Sequence, residues 1–475
     1  MKNEYQLYID GEWVKTSDQL EVLNKYTQDT YVKVAKASEK EVDLAVSAAE
    51  RAFKKDTMSP YQRYEILKRV SELLQENKEE LARNITMEAG KPLKQARTEV
   101  DRAALTFEIS AEEAKRIHGE GVPVEAAPGS ENRMAFTIKV PVGVVGAISP
   151  FNFPINLVAH KIAPAIAAGN AVVLKPASKT PISSLKLAEL FHEAGLPKGF
   201  LNVVVGSGST VGNQMMEDSR IQLYTFTGSA EVGMKLKQNT GLNKLILELG
   251  NNSPVIIDKE ADIAAAAKNS AAKSFAFAGQ VCISVQRLYI HEEVKEEFQN
   301  KFIEAVKKLK IGDPNDPDTD VGPMIAEDEA IRTEQWIEEA KQAGAKVVYG
   351  GQREGALVYP TVLSNVKPDM KVVCEEIFAP VVTLIPFTNI EDCIEEVNKS
   401  PYGLQGGIFT QNLDTAFYAA KNVQVGGFMI NDASQYRVDL MPYGGVKDSG
   451  WGKEGPKYSI EEMTEERLVV MNLKN

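Results

Sequence analysis

The apolar positions change rhythm along the chain. Over residues 41–117 they recur at three-four spacing, as in VDLAVSAAERAFKK and YEILKRVSELLQENKEELARNITMEAG, which is the period of one helical face. Gly90, Lys91 and Pro92 interrupt the run, and the same period resumes over 95–115. The polar stretch HGEGVPVEAAPGSENR over 118–133 ends the helices, and MAFTIKV behind it alternates as a strand does. From Val142 onward short apolar runs take over: VGVVGAI, AVVLK, LNVVV and IQLYTF, with helical segments over 155–168 and 183–194 between them. Short apolar strands alternating with helices predict a parallel sheet covered on both faces. Such a sheet binds ligands at the carboxyl ends of its strands.

A second block starts near LILELG at 245–250. It carries SPVIID, a helix over 262–278, RLYIHEE and a helix over 294–309. The loop GDPNDPDTDVGP at 312–323 is rich in proline and aspartate and is expected at the surface. A helix over 327–343, VVYGG and VVTLIPF follow, so a second sheet domain is expected. The tail MTEERLVVMNL alternates as a strand without a local partner, and MAFTIKV or another subunit can supply one.

The fold class is therefore α/β. A content of 43% hydrophobic and 25% charged residues is that of a soluble globular protein and excludes a disordered or fibrous chain. At roughly 150 residues per domain the length makes two or three units. The net charge of −12 argues against nucleic-acid and anionic-membrane partners, while local cations can still hold a small anion. Three cysteines, no CxxC and four histidines leave neither a disulfide framework nor a zinc cage, so no metal is expected. The charged start MKNEYQLYIDGEW is not a signal peptide, and the compartment expected is the cytoplasm. Residues 140–160 lack Asp, Glu, Lys and Arg over nearly a membrane span. Pro141, Pro150, Pro154, Asn152 and Asn156 make a buried strand leading into a loop the better assignment.

Several residues could carry chemistry. Cys282, in FAGQVCISVQR, is a nucleophile if a base, cation or helix end ionises it, and otherwise a buried apolar cysteine. Cys374 and Cys393 have blander surroundings. Glu248 sits in an apolar strand end, where burial would raise its pKa toward a general base's range; the alternative is a glutamate paired with a cation. Asn152, between two phenylalanines in SPFNFP, could donate to an oxyanion or simply form a turn. FTGSAEVG leads into a helix N-terminus suited to phosphate, without the Walker ending or the full G-x-G-x-x-G spacing. Lys175 ends the AVVLK strand and faces the ligand crevice, or is a solvated lysine.

In this order, SPFNFP, KPAS, FTGSAEVG, ELG, GQVC, EEIFAP and MPYGGVKDSG resemble the aldehyde dehydrogenase superfamily over residues 5–472. The resemblance implies a Rossmann-like cofactor domain (1–117 and 140–247) and an α/β catalytic domain (248–452). It also implies a small β bridging element (118–139 and 453–475) that assembles homodimers or homotetramers. It implies an oxidoreductase that converts a small aldehyde to its acid through a cysteine thiohemiacetal and thioester. Cys282 would be the nucleophile, Glu248 the base that activates water, and Asn152 with the Cys282 N–H the oxyanion site. Lys175 would bind the adenosine ribose, Gly228 and Ser229 would line the phosphates, and Glu376 with Phe378 would hold the nicotinamide end. Ser149, Phe151, Ser178, Lys179, Gly208, Val232 and Leu249 complete the expected cofactor contacts.

Two positions depart from the family pattern: Asn251 and Ala379 stand where glycine is usual. The usual acid after the KPAS lysine is replaced by Ser178, with Lys179 next, so NADP or dual use with NAD is expected. Arg102, His160 and Arg437 would reach the substrate tunnel and suit an anionic aldehyde, unless each pairs with an acid such as Asp101 or Asp439. The flanking segments look like the branch acting on lactaldehyde, phosphonoacetaldehyde, sulfolactaldehyde, glyceraldehyde 3-phosphate and succinate semialdehyde. Val281, where some phosphate-handling relatives carry a cation, weighs against glyceraldehyde 3-phosphate. Alternatives are transfer of the acyl group to coenzyme A, against which Glu248 argues, a short-chain enzyme without anion preference, and a non-catalytic protein on the same scaffold.

Overall fold

Five apolar runs form the parallel centre of the first sheet: β1 (Val144–Ile148), β2 (Ala171–Lys175), β3 (Leu201–Val203), β4 (Ile221–Thr227) and β5 (Lys244–Glu248). They lie in the order β5-β4-β1-β2-β3, so the winding reverses between β1 and β4. Leu7–Ile9 and Glu12–Val14 add antiparallel strands beyond β3, and Gly450–Trp451 closes the other edge against β5. The computed structural model describes residues 4–473. The LILEL strand thus belongs to the first sheet rather than opening the second block. Its hydrophobic run pairs as well with either sheet, and only the register with β4 decides.

Helix α1 (Leu93–Ala114) packs against α2 (Asn156–Ala168). Every residue of α2 is buried, as expected of a helix apolar on all sides. The run at 140–160 is therefore a strand, a loop and the start of a core helix. No helix among the described residues is long and apolar enough to cross a membrane. The helical stretch read over 64–90 divides at Asn77 into Pro60–Glu76 and Lys78–Ala89. Helix α3 (Ala230–Asn239) joins β4 to β5.

The second sheet follows after a five-residue link. It contains β6 (Pro254–Ile257), β7 (Arg287–His291), β8 (Thr361–Ser364), β9 (Val381–Phe387), β10 (Gln405–Phe409) and β11 (Gly427–Ile430), all parallel, with Lys346–Tyr349 antiparallel at one edge. Helix α4 (Ile263–Phe275) connects β6 to β7. The loop over 312–323 is not wholly at the surface: Val321 is buried, and the Pro314 carbonyl accepts from Leu93 N at the start of α1. The tail strand Thr464–Asn472 pairs antiparallel with Arg133–Pro141 of the same chain, which settles its partner. Gly121–Val122 completes that small sheet.

Candidate active site

The segment after α4 turns sharply. Phe277, Ala278 and Gly279 have φ of 48°, 52° and 69°, a left-handed run that is costly for the two side-chain-bearing residues. At Gly279 a Cβ would lie 2.1 Å from the Ala379 carbonyl oxygen, so only glycine lets the two chains pass. Three residues later Cys282 stands in the wall of a cavity of about 400 Å³. Phe153, Phe277, Arg102, Lys273, Arg437 and Tyr443 share that wall. The Cys282 Sγ lies 2.9 Å from the Tyr443 hydroxyl. Burial pushes the thiol up to about 11, while the Tyr443 hydrogen bond and the Arg437 charge pull it the other way.

The residues expected to act with Cys282 gather around it. Asn152 Nδ2 donates to the Gln280 carbonyl (3.0 Å), two residues before the thiol. Glu248, the last residue of β5, is buried, and neither carboxyl oxygen has a partner among the described residues. A Cβ on Gly444 would lie 3.2 Å from Glu248 Oε1, so the carboxyl abuts the residue next to Tyr443. The MPYGG loop therefore touches both the thiol and the carboxyl.

A second buried acid sets the charge of the first. Glu454 accepts from Lys161 (2.9 Å) and Arg437 (3.2 Å), all three side chains nearly inaccessible. Burial alone would raise Glu454, yet Lys161 and Arg437 outweigh it and hold the carboxyl below the usual range. Burial and the Glu454 charge push Glu248 well above that range, against the pull of Arg437, Lys161 and Lys453. The two carboxyls are thus driven in opposite directions, Glu454 toward its ionised form and Glu248 toward its protonated one.

The three expected substrate cations are placed differently. Arg102 lines the cavity and grips Asp439 through Nε (3.1 Å) and Nη2 (2.8 Å). His160 does not line it: its Nε2 lies 2.8 Å from Asp439 behind the wall, and burial followed by the Arg437 charge lowers its pKa. His160 therefore orients Asp439 instead of meeting a ligand. Arg437 lines the cavity and pairs with Glu454. Lys273, unmarked in the sequence, lines the same wall; its ammonium donates to the Gln435 carbonyl (2.6 Å) and forms no ion pair among the described residues. Tyr443, Lys161 and Glu454 were also missed. Tyr443 lay inside the MPYGG run, and a lone lysine in the apolar α2 was a signal for Lys161; Glu454 had none.

The nucleotide residues line the carboxyl ends of the parallel strands. Lys175 follows Leu174 at the end of β2 and pairs in register with Ile148, the last residue of β1; Phe226 of β4 pairs with Ile148 from the other side. Ser149, with a buried unpartnered hydroxyl, and Phe151 continue β1, and Gly228 continues β4. This is the reversal point of the winding, where open parallel sheets bind their ligands. Lys175 is buried without a carboxylate partner, its ammonium 3.4 Å from the Pro176 carbonyl. Ser178 donates to the Gly206 carbonyl (2.7 Å), and the helical turn opened by Gly208 packs on Lys175 through Gly212. Lys179 lies 3.8 Å from Asp328, both exposed.

Ser229 caps α3 by accepting from Val232 N (3.4 Å), so the helix presents its free N–H groups to the crevice, and Leu249 packs beneath Gly233 of α3. Glu376 accepts from Asn251 N (2.8 Å), and burial pushes it up to about 7. Phe378 meets the Phe151 ring edge-on at 5.9 Å. The lysine without an acid beside it, the helix N-terminus and the glycine turns fit an anionic dinucleotide. Asn251, where glycine is usual, is not in the left-handed region. Its amide instead donates to Ser253 Oγ (2.6 Å) and accepts from Leu404 N (3.3 Å). Ala379 likewise has an ordinary φ; Phe378 before it carries the left-handed turn. Among the described residues no cluster of His, Cys, Asp and Glu could hold a metal ion.

The sequence pattern of the aldehyde dehydrogenase family matches residues 13–469. A 3-sulfolactaldehyde dehydrogenase of Priestia megaterium is 56% identical over 470 residues, covering 99% of this chain and 98% of its own. Aldehyde dehydrogenase 21 of Physcomitrella patens, solved with the reaction product succinate, superposes with a TM-score of 0.96 at 41% identity, covering 99% of each chain. The NADP-dependent glyceraldehyde-3-phosphate dehydrogenase of Bacillus halodurans, solved with NADP, gives a TM-score of 0.97 at 35% identity over 100% of both chains. A match over nearly the whole length and relatives this similar leave one conclusion: the chain belongs to the aldehyde dehydrogenase family.

Proposed function

We propose that the protein oxidises a small anionic aldehyde of the sulfolactaldehyde type to its carboxylic acid, with NADP or NAD as oxidant. Cys282 adds through sulfur to the aldehyde carbon, and the Asn152 amide with the Cys282 N–H holds the resulting oxyanion. Losing one such donor costs about 10²–10³ in rate. The nicotinamide, when bound, takes up the hydride that the thiohemiacetal loses. Glu248 then draws a proton from water, which attacks the thioester and releases the acid. Burial and the Glu454 charge raise its pKa, so its action as a base is favoured as pH rises.

The observation that carries the anion preference is the charge of the cavity wall. Lys91 is answered by Glu99 and Arg102 by Asp439, but Arg437 shares Glu454 with Lys161, and Lys273 has no carboxylate. The wall therefore carries excess positive charge beside the thiol although the whole chain is acidic. The 3-sulfolactaldehyde dehydrogenase relative supports the choice of anion. In the crevice, neither Ser178 nor Lys179 would repel a 2′-phosphate, which supports NADP alongside NAD. The protein assembles as a homodimer or homotetramer through its small antiparallel sheet.

The test is kcat/KM for sulfolactaldehyde and for neutral lactaldehyde with each cofactor. Lys273→Ala is expected to lower the value for the anionic aldehyde about tenfold and to leave the neutral one within about twofold. An equal loss for both aldehydes would remove the anion preference.

A further inference from the structure

We propose that Tyr443 is a further catalytic residue: its hydroxyl donates a hydrogen bond to the Cys282 thiolate and so enlarges the ionised fraction of the nucleophile at neutral pH. The proposal rests on Cys282 being the nucleophile.

The geometry is specific. The phenol oxygen lies 2.9 Å from Sγ, and this is the one hydrogen bond of that hydroxyl among the described residues. The ring is buried, and its backbone is clamped to Glu454 in both directions, Tyr443 N to the Glu454 carbonyl (3.0 Å) and Glu454 N to the Tyr443 carbonyl (2.7 Å). The Arg437 guanidinium lies over the ring face, 3.6 Å from its centroid, and is itself held by Glu454. The hydroxyl therefore has little freedom to leave the sulfur, and the cation on its ring makes it a stronger donor.

The acidity of the phenol agrees with this direction of donation. Burial keeps the phenol proton on Tyr443 well beyond the ordinary range, so at neutral pH it gives a hydrogen bond without giving up its proton. The thiol proton leaves to solvent through the cavity; no bond forms to the phenol oxygen, and nothing is oxidised or reduced. Burial makes the thiol resist ionisation, and the Tyr443 hydrogen bond and the Arg437 charge oppose that resistance.

The test follows alkylation of Cys282 by iodoacetamide against pH, read on the Cys282 peptide by mass spectrometry in the full-length enzyme. Tyr443→Phe keeps the ring under Arg437 and removes only the donor. Its alkylation midpoint is expected to move up by about one pH unit. Its kcat/KM is expected to fall about tenfold near pH 7 and to approach wild type above the new midpoint, with cofactor affinity unchanged. An unmoved midpoint would overturn the proposal. Site-specific 3-fluorotyrosine at 443, a more acidic phenol of nearly the same shape, is expected to move the midpoint down; no shift, or an upward one, overturns the proposal independently of how the phenylalanine variant folds. Cys282→Ala separates the two levels: oxidation surviving in it would refute the nucleophile itself, whereas an inert Cys282→Ala with an unmoved midpoint in Tyr443→Phe refutes only the tyrosine's part.

Discussion

Unlike the buried Lys91 and Lys161, Lys175 has no acid within ion-pair distance among the described residues. Lys91 is paired with Glu99 and Lys161 with Glu454, but Lys175 has only a main-chain carbonyl, and burial pulls its ammonium down to about 8. A lysine with a lowered pKa is charged below that value and loses its charge as pH rises through it. A 2′-phosphate near Lys175 feels that charge directly, while a plain ribose hydroxyl does so far less. The dissociation constant for NADP, measured by fluorescence titration, is therefore expected to rise about tenfold from pH 7 to about pH 9, and that for NAD only about twofold. Parallel pH profiles for the two nucleotides would detach Lys175 from the phosphate.

Between α4 and β7 the chain makes its most strained passage, and it does so directly before the nucleophile. Three consecutive left-handed residues are held because Gly279 slides past the Ala379 carbonyl and because Phe277 is buried at the cavity wall with the Lys91 ammonium over its ring. Strain of this kind persists only where the surroundings over-determine it. Gly279→Ala adds a Cβ where the carbonyl already lies, so the loop must shift and carry Cys282 with it. The expected outcome is a loss of about a hundredfold in kcat with cofactor affinity nearly intact, since displacements of about 1 Å at a reacting atom have that effect. Steady-state kinetics beside a cofactor titration checks it. A comparable loss in both would show that the shift spreads into the nucleotide crevice.

At the scale of the whole molecule, the small antiparallel sheet presents an apolar edge. The strand Thr464–Asn472 stands at the edge of the small antiparallel sheet, with Leu468, Val470 and Met471 exposed, and Met134 and Ile138 of its partner strand are exposed as well. An apolar edge of this length is a pairing surface unless something covers it. A second copy of the chain is the occupant consistent with the proposed homo-oligomer. Replacing both Leu468 and Val470 with lysine is expected to lower the mass seen by sedimentation velocity to that of a smaller species, with far-UV circular dichroism unchanged. An unaltered mass would place the assembly surface elsewhere.

Local chemistry made much of this protein legible. The helices before residue 117, the parallel strands from Val144 to Thr227 and the tail strand follow from periodicity, because burial of one face or of a whole run is a property of a few consecutive residues. The ordered motifs pointed to the family and to Cys282, Glu248 and Asn152; the fold sets Asn152 against the Gln280 carbonyl and Glu248 against the loop whose Tyr443 meets the thiol. Partners were a different matter. Tyr443 lies 161 residues from Cys282, His160 turned out to hold Asp439 rather than face the cavity, and the strand before Glu248 joined the first sheet. Periodicity and the order of the motifs set which segments become elements and which residue types carry the chemistry. Which acid answers which cation, and which proton each buried group keeps, was decided only by the tertiary structure, because Coulomb attraction and hydrogen bonding depend on distances between segments that no local pattern encodes.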